Sequence, residues 1–173
     1  MSSFALSRLS FVRAVTVVCA VVAVIATLRT ASAASGPFAL FPGSWDGVGK
    51  IQIGSKSERI RCKANYSLQN NNERDIVLTL ICASDSYKFD LSGNFQADDS
   101  NKISGNWSER SRGVGGTASG VAQGDRFQLH VDSSAFSGNL IMITRGSSQT
   151  VNIDTIGTED KISALITLKR GSR

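Results

Sequence analysis

Few residues of this chain could carry acid–base or nucleophilic chemistry. The single histidine, His130, alternates with Phe127, Leu129 and Val131, so it shares the polar face of a predicted strand with Asp132. A histidine beside an acid can act as a general base. No serine or cysteine nucleophile motif accompanies the pair, and we therefore predict no catalytic residues and no enzymatic activity. An enzyme built around His130 is the third alternative.

Metal and phosphate sites lack their usual ligands. One histidine and two cysteines outside the N-terminal segment do not form a zinc set. The acids at 98–99, 154 and 159–160 lack the alternating spacing of a calcium loop. The glycine-rich stretch 113–120 has neither the lysine of a phosphate loop nor a following helix. The sequence predicts no bound metal and no cofactor.

Two cysteines, Cys62 and Cys82, lie on the apolar faces of two consecutive alternating segments. The polar run 69–74 between them predicts a hairpin loop, and folding the hairpin about position 72 places Cys62 directly opposite Cys82. Opposite residues of an antiparallel pair approach closely enough to be bridged. We predict a Cys62–Cys82 disulfide.

The N-terminus has the features of a secretory signal peptide. Arg8 and Arg13 precede the uncharged apolar run 14–28, which is shorter than the roughly 20 residues of a membrane-spanning helix. The small residues at 31–33 predict cleavage after Ala33. We expect a periplasmic or secreted protein with no stable membrane span after cleavage, and an uncleaved anchor is the alternative.

The charge of the predicted mature chain argues against a nucleic-acid partner. The full sequence has a net charge of +5, but residues 34–173 hold 16 basic and 14 acidic residues, a net of +2. Arg59, Arg61 and Lys63 alternate along one segment. We interpret them as the solvated face of a strand, with a docking patch for an anionic partner as the alternative.

From Trp45 onward, short segments with two-residue alternation are separated by Gly, Asn, Asp and Ser clusters, and no helical period is sustained. Glycines inside these segments indicate sharp bends, as a sheet closing on itself requires. We predict an all-β fold, an antiparallel up-and-down β-barrel of about 8–10 short strands, with a β-sandwich as the alternative. A leader, 34–44, precedes this single domain, 45–173, and its apolar anchors are Phe38, Leu40 and Phe41. The predicted strands are 45–54, 58–68, 75–84, 86–96, 102–109, 114–123, 126–132, 138–145, 149–154 and 161–170.

Gly43-Ser44-Trp45 at the start of the first strand resembles the G-x-W signature of lipocalins, avidins and other calycin-type barrels. In those families the tryptophan packs across one end of the barrel under a basic residue from the last strand. The resemblance implies that Trp45 and Arg170 close one end here. The early Gly-x-Trp and single disulfide are also similar to periplasmic barrels that inhibit secreted metalloproteases, in which an N-terminal segment enters the protease.

The candidate ligand-binding residues are large aromatic side chains and nearby cations. Aromatic residues of a small barrel either fill its lumen or line a partly open one. Our candidates are Trp107, Tyr66 and Tyr87, with Arg110 and Arg112 suited to an anionic head group at the mouth. We predict an exported binding protein that carries or sequesters a small hydrophobic or amphipathic ligand. The alternative is a protein-interaction module, such as a protease inhibitor or an envelope assembly factor.

Overall fold

The computed structural model describes residues 35–156 and 161–171, which form a closed antiparallel barrel. Each of the ten strands pairs with the next along the chain, so the predicted up-and-down barrel is confirmed. The predicted signal peptide, 1–33, and its cleavage site lie outside the described residues. The strands are β1 (Gly43–Ile53), β2 (Lys56–Gln69), β3 (Asn72–Ala83), β4 (Lys88–Ala97), β5 (Lys102–Glu109), β6 (Val114–Gln123), β7 (Arg126–Ser133), β8 (Ser137–Arg145), β9 (Ser148–Ile156) and β10 (Ile162–Arg170).

The pairing of the first strand with the last closes the sheet. β1 and β10 are antiparallel neighbours from Trp45 opposite Arg170 to Ile53 opposite Ile162. The β-sandwich alternative is therefore wrong, because its two sheets would leave these strands unpaired with each other. Closure satisfies the backbone groups that an edge strand would expose. No helix in the described part of the chain is long and apolar enough to cross a membrane.

The alternation of apolar and polar residues sets which side chains enter the barrel. In β2, Ile60, Cys62, Ala64 and Tyr66 are buried, while the residues between them are exposed. Successive side chains of a strand point to opposite faces of the sheet. The apolar face of every strand consequently points inward, and the core is the interior of the barrel.

The β2–β3 hairpin joins the predicted cysteines. Asn70 and Asn71 both have positive φ, 51° and 55°, as a two-residue hairpin turn that matches strand twist requires. The pairs from Arg61–Ala83 to Leu68–Ile76 follow the pairing expected from folding about position 72, and the register shifts between Leu68 and Gln69, next to the turn. Cys62 and Cys82 are opposite each other and form a disulfide. The predicted disulfide is confirmed.

Two glycines allow the sheet to bend tightly at its closure. A Cβ atom at Gly47 or Gly49 would lie 2.1 Å from the carbonyl oxygen of Thr167 or 2.2 Å from that of Leu165. Both oxygens belong to β10, the strand that closes the barrel on β1. Any larger residue would force these two strands apart, which explains why glycine occurs inside β1.

A candidate ligand-binding cavity inside the barrel

An apolar cavity of about 200 Å³ occupies the barrel interior. The turns at 70–71, 98–101, 124–125 and 146–147 mark one end of the barrel, which we call the leader end. The turns at 54–55, 84–87, 110–113 and 134–136 mark the other, which we call the open end. Aliphatic and aromatic side chains dominate the cavity wall, and Tyr66 and Ser92 are the polar residues in it.

The leader closes the cavity at the leader end. Phe38 and Phe41 are only 3% and 2% exposed and line the cavity, whereas Leu40 is 51% exposed. The Phe38 ring stacks on Phe127 at 5.9 Å, and the Phe41 ring meets Tyr66 edge-on at 5.2 Å. Two of the three predicted apolar anchors thus pack inside the barrel, and the third faces solvent.

Trp45 and Arg170 lie beneath the leader. The Arg170 guanidinium lies 4.7 Å from the centre of the Trp45 ring and donates hydrogen bonds to the carbonyl oxygens of Pro42 (3.0 Å) and Leu40. The Trp45 indole Nε1 donates to the Phe41 carbonyl oxygen at 2.8 Å. A cation over an indole face is attracted by the ring quadrupole. Trp45 and Arg170 therefore hold the leader against the barrel, and they also fill the leader end of the barrel.

A buried polar network, which sequence reasoning missed, adjoins the leader. The Tyr66 hydroxyl donates to Gln149 Oε1 at 2.8 Å, and Gln149 Nε2 donates to Thr144 Oγ1 at 3.0 Å. Burial raises the pKa of Tyr66 well above its usual range, so the hydroxyl stays protonated. Buried polar groups are tolerated when they are hydrogen-bonded. The network leaves Tyr66 presenting its ring to the cavity.

Trp107 lines the cavity towards the open end. Its neighbours across the sheet are Gly93 on β4 and Gly116 on β6, which leaves room for an indole on the inner face. The ring lies 5.5 Å from that of Phe136, and Nε1 donates to the Thr117 carbonyl oxygen at 3.1 Å. Trp107 and Phe136 are half-buried, unlike the phenylalanines of the leader. This rise in exposure shows that the cavity approaches solvent at the open end.

The two candidate arginines are at the open end but do not line the cavity. Arg110 forms an ion pair with Asp90, Nη2 to Oδ1 at 2.7 Å. The Arg112 guanidinium lies 4.8 Å from the centre of the Phe89 ring and 3.6 Å from a carboxylate oxygen of Glu109. Tyr87 lies in the β3–β4 turn, outside the cavity wall. Of the five candidate ligand-binding residues, the structure brings only Tyr66 and Trp107 together around the cavity.

Glu109, which was not a candidate, anchors the turn that carries both arginines. It is 5% exposed, and its carboxylate accepts hydrogen bonds from the backbone N–H groups of Asp90 (2.9 Å), Ser111 (3.2 Å) and Arg112 (2.7 Å). Burial by itself would raise the pKa of Glu109, but these hydrogen bonds outweigh it and hold the pKa below its usual value. The signal available in the sequence was an acid at an inward-facing position of β5.

The residues considered for catalysis and metal binding lie elsewhere. His130 is on the outer surface of β7, with Nδ1 3.2 Å from the side-chain oxygen of Asn139 on β8. Across 35–156 and 161–171, no three histidine, cysteine or acidic residues are grouped closely enough to hold a metal ion. The cavity is therefore the site with the clearest capacity to bind a ligand.

No family model matches this sequence, and no curated protein matches it. Among solved structures, the barrel is similar to the S-type phycobiliprotein lyase CPES from Guillardia theta. The TM-score is 0.61 at 13% sequence identity, over 79% of this chain and 91% of the other.

This likeness corrects one prediction. The sequence predicts a protein without catalytic activity, and the finding that a chain of similar fold is described as a lyase contradicts that prediction. A cavity can promote a reaction by holding reactants in position, which needs no nucleophile motif in the sequence. The likeness itself shows the fold alone, and the fold is a closed ten-stranded antiparallel barrel.

Proposed function

We propose that this chain binds a small hydrophobic or amphipathic molecule inside the barrel, and that it carries or sequesters that molecule in a cell envelope. The observation that carries the proposal is the continuous apolar cavity, which the leader closes at one end and which approaches solvent at the other. Ligand sites are typically concave and mostly apolar, with few polar groups. The similar fold described as a lyase supports a barrel that handles a bound molecule.

The cavity favours a slim ligand with an uncharged body. An apolar protein cavity of about 150 Å³ accepts a benzene-sized guest, and this one measures about 200 Å³. Its wall contains no charged side chain, so a charged group buried there would lack a partner. We expect a single ring or a short acyl chain inside, with any polar group directed to the open end.

Location in an envelope is supported by the disulfide and by the N-terminal sequence. Disulfides persist in oxidising compartments and are rare in the cytosol, and Cys62 is bonded to Cys82. The order of the N-terminal features, with small residues at 31–33, is that of a cleaved signal peptide. Amino-terminal sequencing of the exported protein tests this part, with Ala34 as the expected first residue.

Native mass spectrometry tests ligand binding directly. We expect protein recovered from an oxidising compartment to retain an adduct of small mass, which denaturation releases. Comparing the released molecule with the molecule supplied to the protein also reveals whether the barrel alters it chemically. An apo mass after exposure to single-ring compounds, short-chain fatty acids and their esters would reject the proposal.

A matched pair of substitutions tests whether the cavity is the site. Ala118 is 3% exposed and lines the cavity, whereas Ala83 is exposed on the outer surface of β3. We expect Ala118→Phe to fill the cavity and weaken binding at least tenfold, since the ligand and the new ring need the same space. Ala83→Phe should bind like the unaltered protein. Isothermal titration calorimetry measures both, and thermal unfolding verifies that each variant folds.

Tryptophan fluorescence gives an independent reading of the ligand's position. The chain has two tryptophans; Trp45 is fully buried below the leader, and Trp107 lines the cavity. We expect ligand binding to change the emission of the protein and expect Trp107→Phe to remove that change. An unaltered signal in Trp107→Phe would place the ligand elsewhere.

In its protease-inhibitor form, the protein-interaction alternative requires the leader to enter a partner. That would withdraw Phe38 and Phe41 from the barrel, where both are buried, and break the contacts of Arg170 with the leader. The cost of exposing two buried phenylalanines weighs against this alternative.

A further inference from the structure

One outer face of the barrel, on β10, β1 and β2, carries a concentration of positive charge. Three rows of outward side chains cross these strands at Asp46, Val48 and Lys50 of β1. We call this surface the basic face. Its cations are Lys50, Arg59, Arg61, Lys63 and Lys169, and its carboxylate is Asp46. Five cations and one carboxylate give it a net charge of +4, while all of 34–173 has +2.

Four of these cations are not neutralised by a carboxylate of the protein. Within the described part of the chain, no carboxylate lies within ion-pair distance of Lys50, Arg59, Arg61 or Lys169, whereas Lys63 is 3.7 Å from Asp46. Lys50 is directly opposite Arg59 across the β1–β2 pair. Like charges facing each other across strands are destabilising. An anionic partner that neutralises these cations would remove the repulsion between them and explain why they face each other.

Large apolar side chains are interspersed with the cations. Leu165 is 56% exposed and lies opposite Lys50, and Val48 is 43% exposed and lies opposite Arg61. Ile81 is 46% exposed and lies opposite Lys63. The basic face thus contains two of the five exposed large hydrophobic residues that the structure describes, and Ile81 of β3 adjoins it.

We propose that the basic face docks the barrel onto an anionic lipid surface. Cations close to such a surface are attracted by its negative potential, each contributing about fivefold to binding. Exposed aliphatic side chains among them can enter the boundary between head groups and acyl chains. The docking site is separate from the cavity, since these side chains point outward from the barrel.

The apolar component distinguishes a lipid surface from a nucleic acid. Single-stranded nucleic acids are bound by stacking on aromatic side chains within a basic groove. The basic face presents aliphatic residues and no aromatic ring among the side chains of its three rows. Leu165 and Val48 gain from contact with acyl chains but have no favourable partner on a phosphate backbone.

Vesicle partitioning tests the proposal. We expect the exported protein, with its disulfide intact, to bind phosphatidylcholine vesicles containing phosphatidylglycerol more tightly than vesicles of phosphatidylcholine alone. Arg59→Glu with Arg61→Glu should weaken this preference at least about twentyfold. Raising salt from 0.1 M to 1 M should reduce it in the unaltered protein, because the Debye length falls from about 10 Å to about 3 Å.

The matched control reverses two cations on the other side of the barrel. Lys102→Glu with Arg126→Glu makes the same change in net charge on β5 and β7, and we expect it to retain most of the preference. Equal losses in both double variants would show a nonspecific charge effect and overturn the proposal. So would equal binding to both kinds of vesicle, or binding to nucleic acid without binding to vesicles. Ligand binding in the cavity is measured separately and should be unchanged in both variants.

Discussion

Charged residues of the β5–β6 turn show how single side chains acquire partners that composition does not reveal. Arg110 and Arg112 stand in a polar segment, which predicts free cations at a barrel mouth. In the folded chain, β4 lies beside β5 and brings Asp90 within reach of Arg110 and Phe89 beneath Arg112. Their charges are engaged within the protein, so a ligand's acidic group would compete with Asp90 or Glu109.

Glu109→Gln should destabilise the protein in a pH-dependent way. The amide keeps the size of the side chain but removes the charge that accepts three backbone hydrogen bonds, and we expect a loss of about 2 kcal/mol at pH 7. The pKa of Glu109 is lowered by folding, so its stabilisation is present above its ordinary value of 4.5 and disappears as pH falls through the lower folded value.

Urea unfolding across pH provides the measurement. The difference between the two proteins should be largest above pH 4.5 and should shrink at more acidic pH. A difference that is constant across this range would mean that the carboxylate charge is not what stabilises the turn.

The leader behaves as a structural element although it has no regular strand or helix. Gly36 donates its backbone N–H to Glu73 Oε2 at 2.8 Å, and Phe38 donates its own to the Glu73 carbonyl oxygen at 3.1 Å. These bonds connect the leader to β3, while Arg170 connects it to β10. These hydrogen bonds to distant residues and two buried rings replace the hydrogen-bond ladder that would hold a strand.

Phe41→Ala should cost about 3–5 kcal/mol of unfolding free energy, because it leaves a void at the leader end. Leu40→Ala is the matched control, since Leu40 is 51% exposed and Phe41 is 2% exposed. Denaturant unfolding monitored by Trp45 fluorescence measures both. Similar effects in the two variants would contradict the view that the leader packs through Phe41.

At the scale of the whole molecule, closure makes every strand depend on two neighbours. The ring of ten antiparallel pairs includes β1 with β10, whose paired residues Trp45 and Arg170 are far apart in sequence. Long-range pairing of this kind is slow to form because loop closure precedes the contacts that compensate for it. Because the loss of any strand would leave both of its neighbours unpaired on one side, we also expect the barrel to unfold as one unit.

Replacing Cys62 and Cys82 with serine should lower the unfolding free energy by about 3 kcal/mol, chiefly because the unfolded chain gains freedom. The cysteines are opposite each other in the β2–β3 ladder, so the fold itself does not need the bond to establish register. Far-ultraviolet circular dichroism and tryptophan fluorescence should still report one coincident transition. Two separate transitions would show that the disulfide joins parts that otherwise unfold independently.

The sequence by itself determined the local features of this protein: the alternation of the strands, the β2–β3 hairpin and the pairing of Cys62 with Cys82. These follow from residues close together in the chain, where the two-residue period and turn chemistry leave little choice. The same local information identified Trp107 and Tyr66 as inward-facing aromatics.

Tertiary structure alone decided the buried polar network, the burial of Phe38 and Phe41 inside the barrel and the engagement of the arginines. Each depends on groups brought together from different parts of the chain, such as Tyr66 on Gln149 or Asp90 on Arg110. The cavity depends on the packing of all ten strands, since its volume is what the inward side chains leave unfilled. The two-residue period of a single strand therefore cannot predict the volume of the cavity.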